Sequence, residues 1–294
     1  MLLEELHITA EQLKEGFVVP VDKPRQWSSF QVVNKLKWQI KHELDIKKFK
    51  IGHAGTLDPL ASGLLLVCLG PATKRIPILQ DSEKYYTGTM VLGATTACYD
   101  LERAVDTFYP VAQITENLLE ATRQQFLGPQ QQVPPMFSAV KVNGKRAYIA
   151  ARSLAAQQKH QAVDHVAQQA IGLPEEDTII KEKSVTIHQF DITAFRPGCN
   201  VWQSSCLGIP GFTTGQTSAT HSHTPTPNTQ LYRAPLGIVP DWLPQIDFVV
   251  RCTKGTYIRS LARDFGFALG SGAFLSALRR TQVGDYNIES AYTL

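Results

Sequence analysis

Six consecutive apolar residues, Leu64–Leu69, follow directly on a stretch framed by glycines, Gly52-His53-Ala54-Gly55-Thr56-Leu57-Asp58-Pro59-Leu60-Ala61-Ser62-Gly63. The run reads as a segment buried in a core, and it is far too short to cross a bilayer. A fold for this chain must therefore cover the run while leaving a glycine-rich loop at its start. With 294 residues, 43% of them hydrophobic, there is material for one large core or two modest ones.

Other segments have their own periods. Phe17–Val21, Tyr86–Leu92, Ser184–Phe195 and Ile246–Cys252 read as strands. Phe30, Val33, Leu36 and Ile40 recur at helical spacing behind a capping serine, Ser28 or Ser29. Ile114–Phe126 reads as a helix ended by Gly128, and Tyr257–Leu269 and Ala273–Arg280 as two more. Ser138–Val142 before Asn143-Gly144 signals a hairpin, because that dipeptide suits a type I′ turn. Strands and helices alternate irregularly, with hairpins, so the expectation is a mixed α/β sheet rather than a strictly doubly wound one.

Lys and Arg number 29 and Asp and Glu 26, a net charge of +3. This excludes a histone-like polycation and an acidic disordered tail. It does not exclude a nucleic-acid binder, for which clustering matters more than the sum. The basic residues do cluster. Eight lie between Lys23 and Lys50 against Glu43 and Asp45, five lie from Lys141 to Lys159 with no acid, and six lie from Arg251 to Arg280 against Asp264. Joined by the fold these blocks make a basic face; apart, they are ordinary solvated surface. The five cysteines (Cys68, Cys98, Cys199, Cys206, Cys252) are odd in number and show no C-x-x-C, which points to a reducing cytoplasm. Glu4, Glu5, Glu11 and Glu15 stand where a signal peptide needs positive charge, so a soluble intracellular protein is expected. From Arg196 to Gln245 only Arg196, Arg233 and Asp241 are charged, and Gly, Pro, Ser and Thr make up nearly half. Such a segment cannot offset its chain entropy by burial, and it is expected to be a flexible insertion at 196–245. Its Cys199, Cys206, His221 and His223 fit no standard zinc spacing.

Two stretches can carry chemistry. The one at 52–63 is not a P-loop and lacks G-x-G-x-x-G. That leaves Asp58, which is either a turn aspartate bonding its own backbone or a functional carboxylate. In Cys252-Thr253-Lys254-Gly255-Thr256-Tyr257-Ile258-Arg259-Ser260-Leu261 a strand runs to Lys254, Gly255 turns, and Thr256 caps a helix. Arg259 and Arg263 share one face of that helix. It is either a phosphate or carboxylate site or a surface helix with two arginines.

Together these stretches resemble the TruB-type tRNA pseudouridine synthases. The motifs are Asp22-Lys23-Pro24, GHAGTLDPLASGLLLVCLGPATK at 52–74, Lys84-Tyr85-Tyr86, and Pro134-Pro135-Met136-Phe137-Ser138-Ala139-Val140-Lys141 with NGKRAY after it. CTKGTYIRSLARDFG at 252–266 and Leu278-Arg279-Arg280 complete the set, in the family's order, over most of 16–153 and 246–285. The resemblance implies an α+β pseudouridine synthase fold with a largely antiparallel central sheet, flanking helices and an RNA-binding cleft. It implies a single catalytic domain over 1–294 with a thumb-like segment at 136–183. It also implies base flipping and isomerisation of the T-loop uridine of tRNA (position 55), the uracil being cut from C1′ at N1, turned and rejoined through C5, with no cofactor or metal.

By the same resemblance Asp58 is the catalytic carboxylate. Glycosidic cleavage develops positive character at the sugar, and an anionic oxygen can stabilise it or attack, as in glycosidases. Attack at C1′, attack on the base and a glycal route stay open. Arg259 matches the cation that offsets the rise burial gives a carboxyl pKa. Tyr86 matches the tyrosine that stacks on the everted base, with a core-facing strand tyrosine as the alternative. His53 matches a residue against the displaced loop nucleotides, or is a structural loop histidine. Tyr257 and Leu278 match pocket walls; Lys23, Lys74 and Lys141 match basic positions near the RNA, or are solvated surface.

Some features depart from the family. Gln26 stands where a glycine is usual, and Ser28-Ser29 stands for Thr-Ser. Glutamine does not adopt a positive φ cheaply, so that loop is expected to differ in shape. The segment 154–183 is longer than the norm, and no room is left for the small C-terminal RNA-binding domain of many relatives. The expectation is a cytoplasmic monomer on the tRNA T-stem-loop, with no membrane and no protein partner. Two rivals are a catalytically idle tRNA-binding or folding module and a dyskerin-like enzyme in a guide-RNA particle.

Overall fold

The computed structural model describes residues 8–138, 141–142, 145–146, 181–198 and 239–294. Its first half runs α1 (Ala10–Glu15), β1 (Phe17–Lys23), α2 (Ser29–Glu43), β2 (Ile51–Ala54), β3 (Ser62–Leu69), α3 (Ile76–Asp81), β4 (Lys84–Leu92), β5 (Ala94–Thr96) and β6 (Val105–Phe108). Then come α4 (Glu116–Gln125), β7 (Gly128–Gln132), β8 (Lys141–Val142), β9 (Lys145–Arg146), β10 (Lys183–Arg196) and β11 (Gln245–Cys252). The last are α5 (Ile258–Ala268), β12 (Ala273–Val283), β13 (Tyr286–Asn287) and β14 (Tyr292–Thr293).

One ten-stranded sheet organises these elements, in the order β14-β1-β3-β12-β4-β11-β10-β7, with β2 on β3 and β13 on β12. Every pairing is antiparallel except β1 with β14 and β3 with β12. The mixed, largely antiparallel sheet is the expected one. Its centre explains the apolar run: residues of β3 feed both faces. Leu65, Val67 and Leu69 pack with Val19, Val21 and the Val32, Val33, Leu36 and Ile40 stripe of α2. Leu64, Leu66 and Cys68 pack with Val18, Ala54 and Leu79 on the other side. Burying each leucine contributes about 1.5–3 kcal/mol, and a central strand covered on both faces gains this for every residue of the run. Gly63, at φ +101°, is where β12 comes closest; a Cβ there would stand 2.3 Å from the Arg280 carbonyl oxygen.

Several sequence expectations change. Ala273–Arg280 is not a helix but the body of β12, paired with β4 from Ala273 opposite Leu92 to Val283 opposite Lys84. Its Ala, Leu and Phe residues suit either period, and two long neighbouring strands override the local helix preference. Part of the glycine-rich stretch is strand, because β2 pairs with β3 before the loop begins. Ser28, not Ser29, caps α2, through a capping box with Gln31. Val32 takes the buried place expected for Phe30, which is 67% exposed. Thr256 does not cap α5: Tyr257 holds that position without a side-chain bond, and Thr256 Oγ1 donates to the Thr253 carbonyl instead. Gln26 does take the positive φ, at 70°. The strand pair β8–β9 brackets the predicted Asn143-Gly144 turn. Most of the thumb-like segment, and Cys199, Cys206, His221 and His223, lie outside the described residues. Among those described, no helix is long and apolar enough to cross a membrane.

Candidate active site

Between β2 and β3 the chain turns through residues 55–61, and this loop carries Asp58. Its main chain is tied down from three sides. Ser29 Oγ accepts from Leu57 N (2.9 Å) and donates to Leu57 O (3.2 Å), joining the loop to the first turn of α2. Gln26 N donates to Pro59 O at 2.7 Å, a bond that its left-handed conformation accompanies. Lys23 is fully buried, and its ammonium donates to the carbonyls of Trp27 (2.6 Å), Pro24 (3.0 Å) and Pro59 (3.3 Å). Arg280 of β12, 1% exposed, donates from Nε to Leu64 O (2.8 Å) and from Nη2 to Gly55 O (3.1 Å). Buried cations thus tie the loop carbonyls of Gly55 and Pro59 to those of the neighbouring turn at Pro24 and Trp27 and to Leu64 of β3.

Arg259, from the first turn of α5, meets the carboxylate side-on. Nε donates to Asp58 Oδ2 at 2.9 Å and Nη2 to Oδ1 at 3.1 Å. The same guanidinium donates to Cys98 O (3.0 Å) and Phe137 O (2.8 Å), and Asp100 Oδ2 lies 3.7 Å from Nε. Side-chain exposure sorts the three: 5% for Arg259, 7% for Asp100 and 36% for Asp58. The pair is rigid on its inner side and Asp58 is open on its outer side. Burial draws the Arg259 guanidinium down, but the two carboxylates outweigh it and hold it above its usual value. Burial raises the Asp100 carboxyl, with Arg259 opposing.

The open side of Asp58 faces a cleft of about 630 Å³ whose lining includes Tyr86, Tyr257, Leu278, Arg259 and Arg280. That volume suits a nucleoside. Tyr86 lies on β4 between Val250 of β11 and Arg280 of β12, and is 8% exposed. Burial pushes its hydroxyl above the usual range, with Arg280 partly opposing, so it is a neutral phenol at ordinary pH. Tyr257 is likewise raised by burial, and Lys183 Nζ stands 5.5 Å from its ring centroid. Lys84 also lines the cleft; its ammonium donates to the Gln80 and Ser82 carbonyls, and burial, with Arg280 adding, pulls it down to about 8.

Asp58, Tyr86, Tyr257, Arg259 and Leu278 therefore come together in one cleft. The other expected residues do not line it. His53 lies on β2, half-buried, its pKa lowered by burial and then by Arg280. Lys23 has no surface to offer an RNA, since its charge serves the loop. Lys74 is exposed on the turn at 70–75, and only the backbone of Lys141 is described. Sequence reasoning missed Asp100, Arg280 and Ser29. Asp100 carries no local signal, since Glu102 and Arg103 beside it read as an ordinary charged turn.

Residues 41–171 match the family model described as TruB family pseudouridylate synthase, N-terminal domain, and residues 259–294 that of the tRNA pseudouridylate synthase B C-terminal domain. The tRNA pseudouridine synthase B of Flavobacterium johnsoniae is 41% identical over 285 residues, covering 97% of this chain and 95% of that protein. The protein of the same name from Phocaeicola vulgatus is 39% identical over 281 residues, covering 96% and 91%. Among solved structures, a chain of the crystal structure of a Cbf5-Nop10-Gar1 complex superposes with a TM-score of 0.54 at 23% identity, over 97% of this chain and 54% of that one. That likeness concerns the fold, and this chain spans about half the length of that one. Relatives this similar over nearly their whole length leave one assignment: the chain belongs to the TruB family of pseudouridylate synthases.

Proposed function

We propose that this isomerase converts the T-loop uridine of tRNA, position 55, to pseudouridine, with Asp58 as the essential catalytic group. The observation that carries the reading is the Asp58 carboxylate, gripped by Arg259 on one side and open on the other to a nucleoside-sized cleft that Tyr86 helps to line. A uridine inside a loop stack cannot reach such a group, so the target everts into the cleft. As the N1–C1′ bond breaks, positive character grows on the sugar and the negative oxygen of Asp58 meets it. The freed uracil turns, C5 bonds to C1′, the C5 proton leaves and N1 regains one, so the product is an isomer and no co-reactant is consumed. Tyr86, neutral, offers a ring face to the base and a hydroxyl as hydrogen-bond partner. Arg259 never leaves Asp58, which keeps the carboxylate oriented through both halves of the reaction.

The wider arrangement follows the same reading. The chain acts as a single catalytic domain and a cytoplasmic monomer, with 136–183 closing as a thumb over the T-stem-loop. His53, Tyr257 and Leu278 meet the displaced nucleotides and the pocket contents, and Lys74 and Lys141 meet phosphates. An idle binding module would have little use for the pair: a half-buried carboxylate and a buried arginine cost desolvation to assemble. The test is turnover. Purified protein is incubated with a synthetic T-stem-loop RNA and pseudouridine is mapped by sequence position. The proposal expects conversion of one loop uridine; tight binding with no conversion would leave the idle module instead.

A further inference from the structure

The outer face of α2 has no role in folding and none in the cleft. Phe30 and Trp38 project from it 67% and 66% exposed, while Val32, Val33, Leu36 and Ile40 hold the opposite face in the core. At 100° per residue Lys37 and Lys41 fall within about 20° of Phe30, and Asn34 lies between Phe30 and Trp38. Trp38 stacks on His42, ring centroids 5.5 Å apart and planes at 21°, and Lys35 lies 5.4 Å over Trp27 at the other end. From Lys35 to Lys50 there are six lysines against Glu43 and Asp45. Ser29 fastens the start of the helix to the catalytic loop. The stripe thus begins beside the active site and extends roughly 20 Å from it, at 1.5 Å per residue.

We propose that this face grips the substrate tRNA outside the T-stem-loop, Phe30 and Trp38 stacking on unpaired bases while Lys37 and Lys41 contact neighbouring phosphates. This rests on the tRNA reading given above. Charge selects the occupant: interface cores between proteins are depleted in lysine, whereas aromatic side chains set among cations form the platform that takes up unpaired nucleotides.

The experiment compares full-length tRNA with an isolated T-stem-loop, for wild type, Phe30→Ala/Trp38→Ala and Lys37→Gln/Lys41→Gln. The aromatic variant, which removes two stacking platforms, is expected to bind full-length tRNA about thirtyfold more weakly or worse. The lysine variant is expected to flatten the salt dependence of that binding by roughly one unit of log–log slope per lost contact. Both should modify the T-stem-loop as wild type does. Unchanged tRNA binding overturns the inference, and so does equal loss on both RNAs. A shift to a smaller sedimenting species in the variants also overturns it, in favour of a contact between copies of the chain. If wild type modifies neither RNA, the catalytic reading fails, while direct tRNA binding still reports on the stripe.

Discussion

Replacing Arg259 by methionine keeps a long stem but removes every donor of the guanidinium. Asp58 loses both bonds, the Cys98 and Phe137 carbonyls lose theirs, and Asp100 loses the cation 3.7 Å away. Deleting one partner of a buried ion pair costs about 3–5 kcal/mol. Against a total stability of about 5–15 kcal/mol, the variant stays folded but is measurably weaker. Most of that penalty is assigned to Asp100, which is 7% exposed, rather than to Asp58, which water still reaches. Asp100→Asn added to Arg259→Met should therefore restore about 1–3 kcal/mol, although Asp100→Asn alone destabilises. The pH dependence has the same origin. Burial raises the folded pKa of Asp100, so removing its cation costs most at high pH and least once the carboxyl is protonated. Urea unfolding at neutral and mildly acidic pH, followed by tryptophan fluorescence and circular dichroism, measures the cycle. Strictly additive losses, or a cost independent of pH, would refute the coupling.

Three further outcomes follow from the loop and the buried cations. Ser29→Ala orphans the Leu57 amide at a cost of about 1–3 kcal/mol, and kcat should fall roughly tenfold or more as the Asp58 loop drifts; unchanged kcat would contradict this. Gln26→Gly is expected to be neutral or stabilising and Gln26→Val destabilising by more than about 1 kcal/mol, read as melting temperature, because the position has φ 70°; a valine variant as stable as wild type would contradict it. Lys23 and Lys84 are pulled from 10.5 to about 8, chiefly by burial, so the unfolded chain binds more protons above that pH and stability rises with pH. The thiols of Cys68, Cys98 and Cys252, all three raised by burial above 9.0, outnumber the two lysines and reverse this above pH 9. The melting temperature should climb from about pH 7.5 to about pH 9 and then fall, and a fall already below pH 9 would count against the buried lysines.

How much was legible in the sequence depended on range. Leu64–Leu69 announces a buried segment because six consecutive apolar residues leave no face for water, and a serine at 28 or 29 announces a helix start because capping is local. Which of the two caps, and that the run is a strand, come only with the fold. Ala273–Arg280 suits helix and strand alike, because its partner, β4, lies far away in the chain and only that pairing separates the two. Asp58 and Arg259 could be singled out as motifs, but nothing local says that residues 201 positions apart share two hydrogen bonds. Lys23 illustrates the reverse: a lysine in a basic block reads as surface until the fold shows three carbonyls that need its charge. Asp100 and Arg280 were hidden for the same reason, since their roles exist only once β12 and α5 are placed.

The most direct measurement is a single-turnover experiment with Asp58→Asn, an exchange that keeps the size of the side chain and removes its charge. Pseudouridine formed in the T-stem-loop and affinity for that RNA are followed together. No detectable product is expected, with affinity within a few-fold of wild type. Product at a near-normal rate would contradict it, because the anionic oxygen beside Arg259 would then be dispensable.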